Sequence, residues 1–356
     1  MTPQPVSVAR RRADKMSGDA SVVKGPLHGY HHETYVFPLS DGTRIVKCRE
    51  PRAQILWFDR RCFLSEEELL RALKGHIARV PDVVDIEGMS LQGFIEGRTL
   101  GPRRWAGRRV PPAIVDQIVE LFREMVRVTP DMLDVERRCE RSDRPEDGDS
   151  DGFLERLIVF SEEQVYARNL ADFQGLFRDL GVREDAFTRI RKHVSGLKER
   201  PFCLLHADLH RENFIIDPQG RLWTIDWELA MLGDPLYDLA THLHLMRYPA
   251  DQERLMVREW RRVVEGVRRG SAYGWEEDLS RVLDFKRAQS VFTDVIRVPL
   301  SLSDGADLNW VALPRAARKL RRILTAAARP LGLEQVPSAP QIMTAVARWH
   351  RERGAA

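Results

Sequence analysis

Two apolar runs in this sequence carry polar residues at spacings that chemistry could use. The first, Leu204 to Ile216, sets out His206, Asp208 and Asn213 as H-x-D-x-x-x-x-N. The second, Leu222 to Trp227, carries Asp226 and follows Asp217-Pro218-Gln219-Gly220, a turn sequence that signals a hairpin. Apolar strands of this kind are buried, and buried polar side chains persist only with partners. Folding the chain at the turn returns Asp226 alongside Asn213, so that a carboxylate and an amide oxygen converge with Asp208 nearby. Hard oxygen donors suit magnesium held together with phosphates.

Taken together, H-A-D-L-H-x-x-N from His206, I-D-W-E from Ile225 and G-D-P-x-Y-D-L-A from Gly233 resemble the aminoglycoside phosphotransferase and choline kinase group. These are small-molecule kinases with a protein-kinase-like fold. The resemblance spans about residues 22 to 300 and is specific at 204 to 240. It implies an α+β, bilobal chain, with an antiparallel-sheet N-lobe at 21–94 and a mainly helical C-lobe at 95–356. It also implies transfer of the γ-phosphoryl group of ATP to a hydroxyl with the help of magnesium.

The resemblance carries roles for particular residues. Asp208 is implied to orient the acceptor hydroxyl and take its proton, while Asn213 and Asp226 hold magnesium on the nucleotide phosphates. His206 braces the loop, and Asp238 ties it to the following helix. Lys47, in R-I-V-K, is implied to meet the α and β phosphates and to pair with Glu66. Gly29 and His32 belong to the phosphate-covering loop, although the group commonly has Asn where His32 stands. Ile45 would touch the adenine, the backbone of Gly93, Phe94 and Ile95 would read its edge, Ile215 would lie beneath it, and Ile225 precedes the metal aspartate. His210, Arg211 and Glu228 are candidates for the acceptor side.

The elements that must position these residues are legible as periodicities. Val22 to Leu27, Thr34 to Leu39 and Arg44 to Cys48 are expected as strands, with Lys47 on the same face as Ile45. Arg60 to Lys74 is expected as a helix, with Leu69, Leu70 and Leu73 on one face and Ser65 as a cap before Glu66-Glu67-Glu68. Val80 to Val84 and Glu87 to Phe94 complete the sheet. From Pro111 onward the 3.6-residue period predicts a series of helices, among them a basic amphipathic one around 315–324. Residues 1–20, basic and broken by Pro3 and Pro5, are expected to form a mobile leader. The acidic stretch 137–152 is expected to be a solvated, mobile loop, with part of an acceptor-binding lid as the alternative.

Composition sets the outer bounds. The chain has 356 residues, 43% hydrophobic and 31% charged, with a formal net charge of +3. That is enough for two lobes with sizeable cores, and too little charge to argue for nucleic acid. Four cysteines without C-x-x-C spacing fit a reducing compartment. With no secretory signal and no apolar run near the length that spans a bilayer, the expected location is cytoplasmic. The expected acceptor is a hydroxylated small molecule such as an antibiotic or other natural product. A peptide or protein Ser/Thr hydroxyl is the alternative acceptor, and a nucleotide-binding pseudokinase that recruits partners is the alternative from another class.

Overall fold

A computed structural model describes residues 7–27, 32–39, 42, 44–51, 58, 60–304 and 307–354. Strands β1 (Lys24–Leu27), β2 (His32–Pro38), β3 (Ile45–Pro51), β4 (Val83–Ile86) and β5 (Met89–Gly93) form an antiparallel sheet in the order β1-β2-β3-β5-β4. Val36 lies opposite Lys47, and Lys47 opposite Gln92. The two-residue period of a strand sorts β3 cleanly. Val46 and Cys48 are buried in the apolar cluster on one face, while Lys47 and Arg49 line a cleft on the other.

The first cluster closes in a way the sequence reading did not foresee. Residues 8–17, expected within a mobile leader, form helix α1 (Val8–Ser17), with Ser7 accepting from the Arg10 amide at 3.2 Å. Ala9, Ala13 and Met16 are buried with Tyr35, Phe37, Val46 and Cys48. Their i, i+4, i+7 spacing is a helical stripe, but two of its three members are alanines and it runs beside Arg10-Arg11-Arg12, whose charge concealed it.

Helix α2 (Glu66–Leu73) begins where Ser65 accepts from the Glu68 amide at 3.2 Å. It buries Leu69, Leu70 and Leu73 in the main core. It is shorter than expected because residues 62–64 pair elsewhere: the Arg138 amide donates to Cys62 O at 2.9 Å and the Leu64 amide to Glu136 O at 3.0 Å. The acidic stretch is therefore tied down at its start, and again where Asp147 accepts from the Phe202 amide at 2.6 Å.

The second lobe is built from α3 (Pro112–Arg127), α4 (Ser150–Val159), α5 (Leu170–Asp179), α6 (Ala186–Val194), α7 (Pro235–Met246), α8 (Ala250–Val267), α9 (Trp275–Leu300), α10 (Leu313–Leu331) and α11 (Ala339–Gly354). Helix α9 packs against α7 and α10. The basic helix α10 turns Ala316, Ala317, Leu320, Leu324 and Ala327 inward, so its charges occupy the remaining face. Among the described residues no helix is long and apolar enough to cross a membrane.

Between the lobes lie the short strands that carry the site: β6 (Arg98–Thr99), β7 (Cys203–Leu205), β8 (Phe214–Ile216), β9 (Leu222–Thr224) and β10 (Met231–Gly233). The hairpin closes with Phe214 opposite Thr224 and Ile216 opposite Leu222. β6 joins its edge, and β7 pairs with β10. Gly97, at φ 155, leads into β6 where any Cβ would stand 2.4 Å from Ile216 O; only glycine lets the interlobe strand come this close. Behind the site, Arg200 is fully buried and donates to Asp234 at 2.7 Å and to Asp278 at 2.8 Å. That triad fastens the entry of β7 to the first turns of α7 and α9.

Candidate active site

The cleft between the lobes has a volume of about 1130 Å³. At its centre the loop after β7 makes a tight bend, with Ala207 at φ 63. His206 is buried, and its two nitrogens assign its tautomer: Nε2–H donates to Ile225 O at 3.1 Å, leaving Nδ1 to accept the Asp208 amide at 3.3 Å. Burial pushes its pKa down, outweighing the Asp208 charge, so it remains a neutral brace between the loop and the hairpin. Asp238 on α7 accepts from the amides of His206 at 3.1 Å and Ala207 at 2.7 Å. Its burial raises its pKa to about 6 against the pull of those two bonds.

These braces fix Asp208 in the cleft. Asn213 Nδ2 donates to Asp208 Oδ2 at 3.1 Å, and His210 Nε2 lies 3.2 Å from the same oxygen. The carboxylate is thereby fixed in rotation. Asn213 also donates to Asp208 O at 2.9 Å, which uses its nitrogen and leaves the amide oxygen as its remaining polar group. The Ile225 amide donates to Asn213 O at 3.0 Å, bringing Asp226 into the same cleft. Asp226 adopts φ 66 and its side chain is 37% exposed. Among the described residues no three His, Cys, Asp or Glu side chains converge as metal ligands. Asn213 and Asp226 nevertheless fit a magnesium ion that takes most of its shell from phosphate and water oxygens, because both offer hard oxygens on one cleft.

On the sheet side the cleft receives Lys47, Gly93, Phe94 and Ile95, and from the hairpin Ile215 and Ile225. The amides of Gly93 and Phe94 are already committed, to Asp82 O at 2.7 Å and Ile45 O at 2.9 Å. Ile45 stands at the start of β3, 37% exposed and outside the cleft lining, and so differs from its expected adenine contact. Gly29 falls outside the described residues. His32 does line the cleft, with Nδ1 3.5 Å from Glu228. Glu228 also meets Arg61 at 2.5 Å. Burial, then the Asp226 charge, pushes the Glu228 pKa up to about 7. Arg211 departs from its expected acceptor role: it is 4% exposed and donates to the carbonyls of Leu100 and Arg108, so it holds the interlobe crossing.

The expected Lys47–Glu66 pair is replaced by another. Glu66 is the buried acid of its run and accepts from the Trp227 amide at 2.8 Å, but its ion-pair partner is Arg49. Arg49 lies two residues beyond Lys47 on the same strand face, and its Nη1 also stands 3.4 Å from Asp226. Burial alone would raise Glu66, but Arg49 and then Lys47 hold it at about 2. Among the described residues Lys47 has no ion-pair partner within 4 Å. Burial, followed by the Arg49 charge, lowers its pKa to about 8.

The far wall of the cleft was missed by sequence reasoning. Helix α9 presents Lys286, Gln289, Ser290, Thr293, Asp294 and Arg297 to it, with Thr241 and His244 from α7 and Lys319 from α10. The signal was present as polar residues at i, i+3, i+4, i+7, i+8 and i+11 in a helix otherwise rich in buried apolar residues.

Residues 22–285 match the family model of the phosphotransferase enzyme family. No curated protein matches the sequence. Solved structures share the fold, among them the following three. A choline/ethanolamine kinase family protein from Mesorhizobium loti is 18% identical, over 96% of this chain and 98% of that one, with a TM-score of 0.53. A choline kinase from Streptococcus pneumoniae is 18% identical, over 90% and 98%, with a TM-score of 0.51. A thermostable mutant of an aminoglycoside phosphotransferase, in ternary complex with AMP-PNP and hygromycin B, is 16% identical, over 96% and 99%, with a TM-score of 0.50.

Proposed function

This chain belongs to the phosphotransferase enzyme family, and we propose that it moves the γ-phosphoryl group of ATP, with magnesium, onto a hydroxyl of a small molecule. The observation that carries the reading is the meeting of Asp208, Asn213, Asp226 and Lys47 on one interlobe cleft. The proteins that share the fold are named as choline kinases and as an aminoglycoside phosphotransferase crystallised with AMP-PNP, which supports nucleotide use and a small acceptor.

In this mechanism Lys47 neutralises nucleotide phosphate, and Asn213 and Asp226 would hold magnesium. Magnesium, when bound, draws charge off the phosphate oxygens. Asp208, locked in orientation by Asn213 and His210, receives the acceptor's hydroxyl proton as the new O–P bond forms and the bond to the leaving ADP breaks. The chain supplies positioning and charge more than covalent chemistry. Gly97 and the stretch 93–95 between the lobes shape the adenine end, with Ile215 and Ile225 as its apolar surface.

The test is calorimetric titration with Mg-ATP, followed by ADP release and mass spectrometry over sugars, hydroxy acids, amino alcohols and aminoglycosides. A product heavier by one phosphate is expected. Failure to bind Mg-ATP would sink the reading.

A further inference from the structure

Arg137 and Arg144, from the stretch expected to be a solvated loop, line a second cavity that shares no residue with the interlobe cleft. Its volume is about 120 Å³. The floor is apolar and preformed. Phe153 and Leu157 of α4, Phe202, and Met231 of β10 are all buried there, and the Phe153 ring packs 5.7 Å from that of Phe202 and 5.5 Å from that of Tyr237. Four arginines and two aspartates line the polar part. The aspartates are committed: Asp143 lies 3.9 Å from Arg156, and Asp147 accepts from the Phe202 amide at 2.6 Å and lies 3.5 Å from Arg268. Arg60, Arg137 and Arg144 are left without an ion-pair partner within 4 Å among the described residues.

Among the described residues Arg137 and Arg144 donate only to main-chain carbonyls, Pro130 O at 3.4 Å and Cys139 O at 3.0 Å. Arg144 Nε is buried without a hydrogen-bond partner, and a buried donor left unpaired costs stability. Burial, then the Arg144 charge, lowers the Arg137 pKa, with only the Cys139 and Cys62 thiols acting the other way. Burial lifts Cys62 to about 11, so at neutral pH it offers no charge. Guanidinium forks match the two oxygens of a carboxylate, and an apolar cavity of about 150 Å³ holds a benzene ring. We propose that this cavity is a binding site, separate from the phosphotransfer cleft, for a small carboxylate with an apolar body. The body covers Phe153, Leu157 and Met231, and the carboxylate lies among Arg60, Arg137 and Arg144. An inorganic anion would leave the apolar floor uncovered, and a bulky polyanion would exceed the volume.

The experiment titrates the full chain calorimetrically with benzoate, its neutral isostere benzamide, and acetate. Benzoate should bind at least about tenfold tighter than either, because benzamide lacks the charge and acetate lacks the ring. Its affinity should be the same with and without Mg-AMP-PNP, since cavity and cleft share no residue. Arg144→Met should erase the preference for benzoate over benzamide. Where that variant fails to fold, Arg137→Met, which gives up a single 3.4 Å contact to Pro130 O, decides. Acetate binding as tightly as benzoate would mark an unspecific anion patch, benzamide binding as tightly would leave the arginines without a part, and competition by Mg-AMP-PNP would put benzoate in the cleft. Each of these overturns the inference, as does a preference that survives loss of the arginine or the absence of benzoate binding.

Discussion

The two ends of the cleft are built on opposite principles. The nucleotide end gathers its groups from a strand, a short helix and two tight loops, and most of its charges stand in mutual contact: Arg49 with Glu66 and Asp226, and Glu228 with Arg61 and His32. The acceptor end takes most of its groups from one face of one long helix, α9, and the rest from α7 and α10. Charges in mutual contact keep their geometry without ligand, whereas a helix face lined by varied polar side chains can be changed one residue at a time. On the proposed phosphotransfer reading, the fold commits the chemistry at one end and leaves recognition to the other.

The comparison breaks first at Asp208. Asp208→Asn keeps the contact with His210 but removes the proton acceptor, so kcat should fall by about 1000-fold with nucleotide affinity within a few fold. Loss of nucleotide affinity instead would place Asp208 with the nucleotide end. Lys47→Met comes next, with kcat/KM for ATP expected to drop about 100-fold, or about 3 kcal/mol. It should also stabilise the ligand-free protein. A lysine whose folded pKa is about 8, against an ordinary 10.5, binds its proton less well folded than unfolded. Below pH 8 that burdens the fold, and the burden lifts as pH climbs from 8 towards 10.5. Thermal melting at pH 7 and pH 9.5 should show the variant's advantage shrinking at the higher pH, while wild-type affinity for ATP should weaken above pH 8 as Lys47 loses its charge.

The unequal legibility of the two ends has the same origin. His206, Asp208, Asn213 and Asp226 lie within 21 residues joined by a hairpin, so spacing and turn chemistry were enough to bring them together. The acceptor wall draws on three helices, and which face of α9 meets the cleft depends on how α9 packs against α7 and α10. The Glu66 register was readable because burial follows the Leu69, Leu70, Leu73 stripe. Its partner was not, since Lys47 and Arg49 share a strand face and only side-chain reach separates them. Ile45 and Arg211 show the limit at single residues: each stands beside the cleft in sequence and is turned away from it by the end of a strand or by two backbone carbonyls.

Arg49 sharpens the comparison. Arg49→Met leaves Glu66 buried without its ion-pair partner, and breaking a buried pair from one side costs about 3 kcal/mol. Melting should therefore move down clearly. Activity should fall only about tenfold, because Lys47 is then the nearest cation to Glu66 and the Asp226 carboxylate loses a competitor for magnesium. A 1000-fold loss with unchanged melting would make Arg49 a phosphate ligand and not the keeper of Glu66.

The smallest effect expected is at Thr241. Its hydroxyl is buried and unpartnered in the ligand-free protein, so Thr241→Val, close in shape, removes an unsatisfied polar group and should leave melting unchanged or slightly raised. If the acceptor supplies the missing bond, the same change removes one ordinary hydrogen bond from the complex, worth about 1 kcal/mol, or roughly fivefold in acceptor KM. The KM for ATP should not move, because Thr241 lies on α7 with the acceptor wall and away from Lys47. Steady-state kinetics with each substrate varied in turn distinguishes the outcomes. A shift in both constants would mean that the two ends are coupled through α7, whose Asp238 already holds the His206–Ala207 bend, and the separation of chemistry from recognition would fail at that helix.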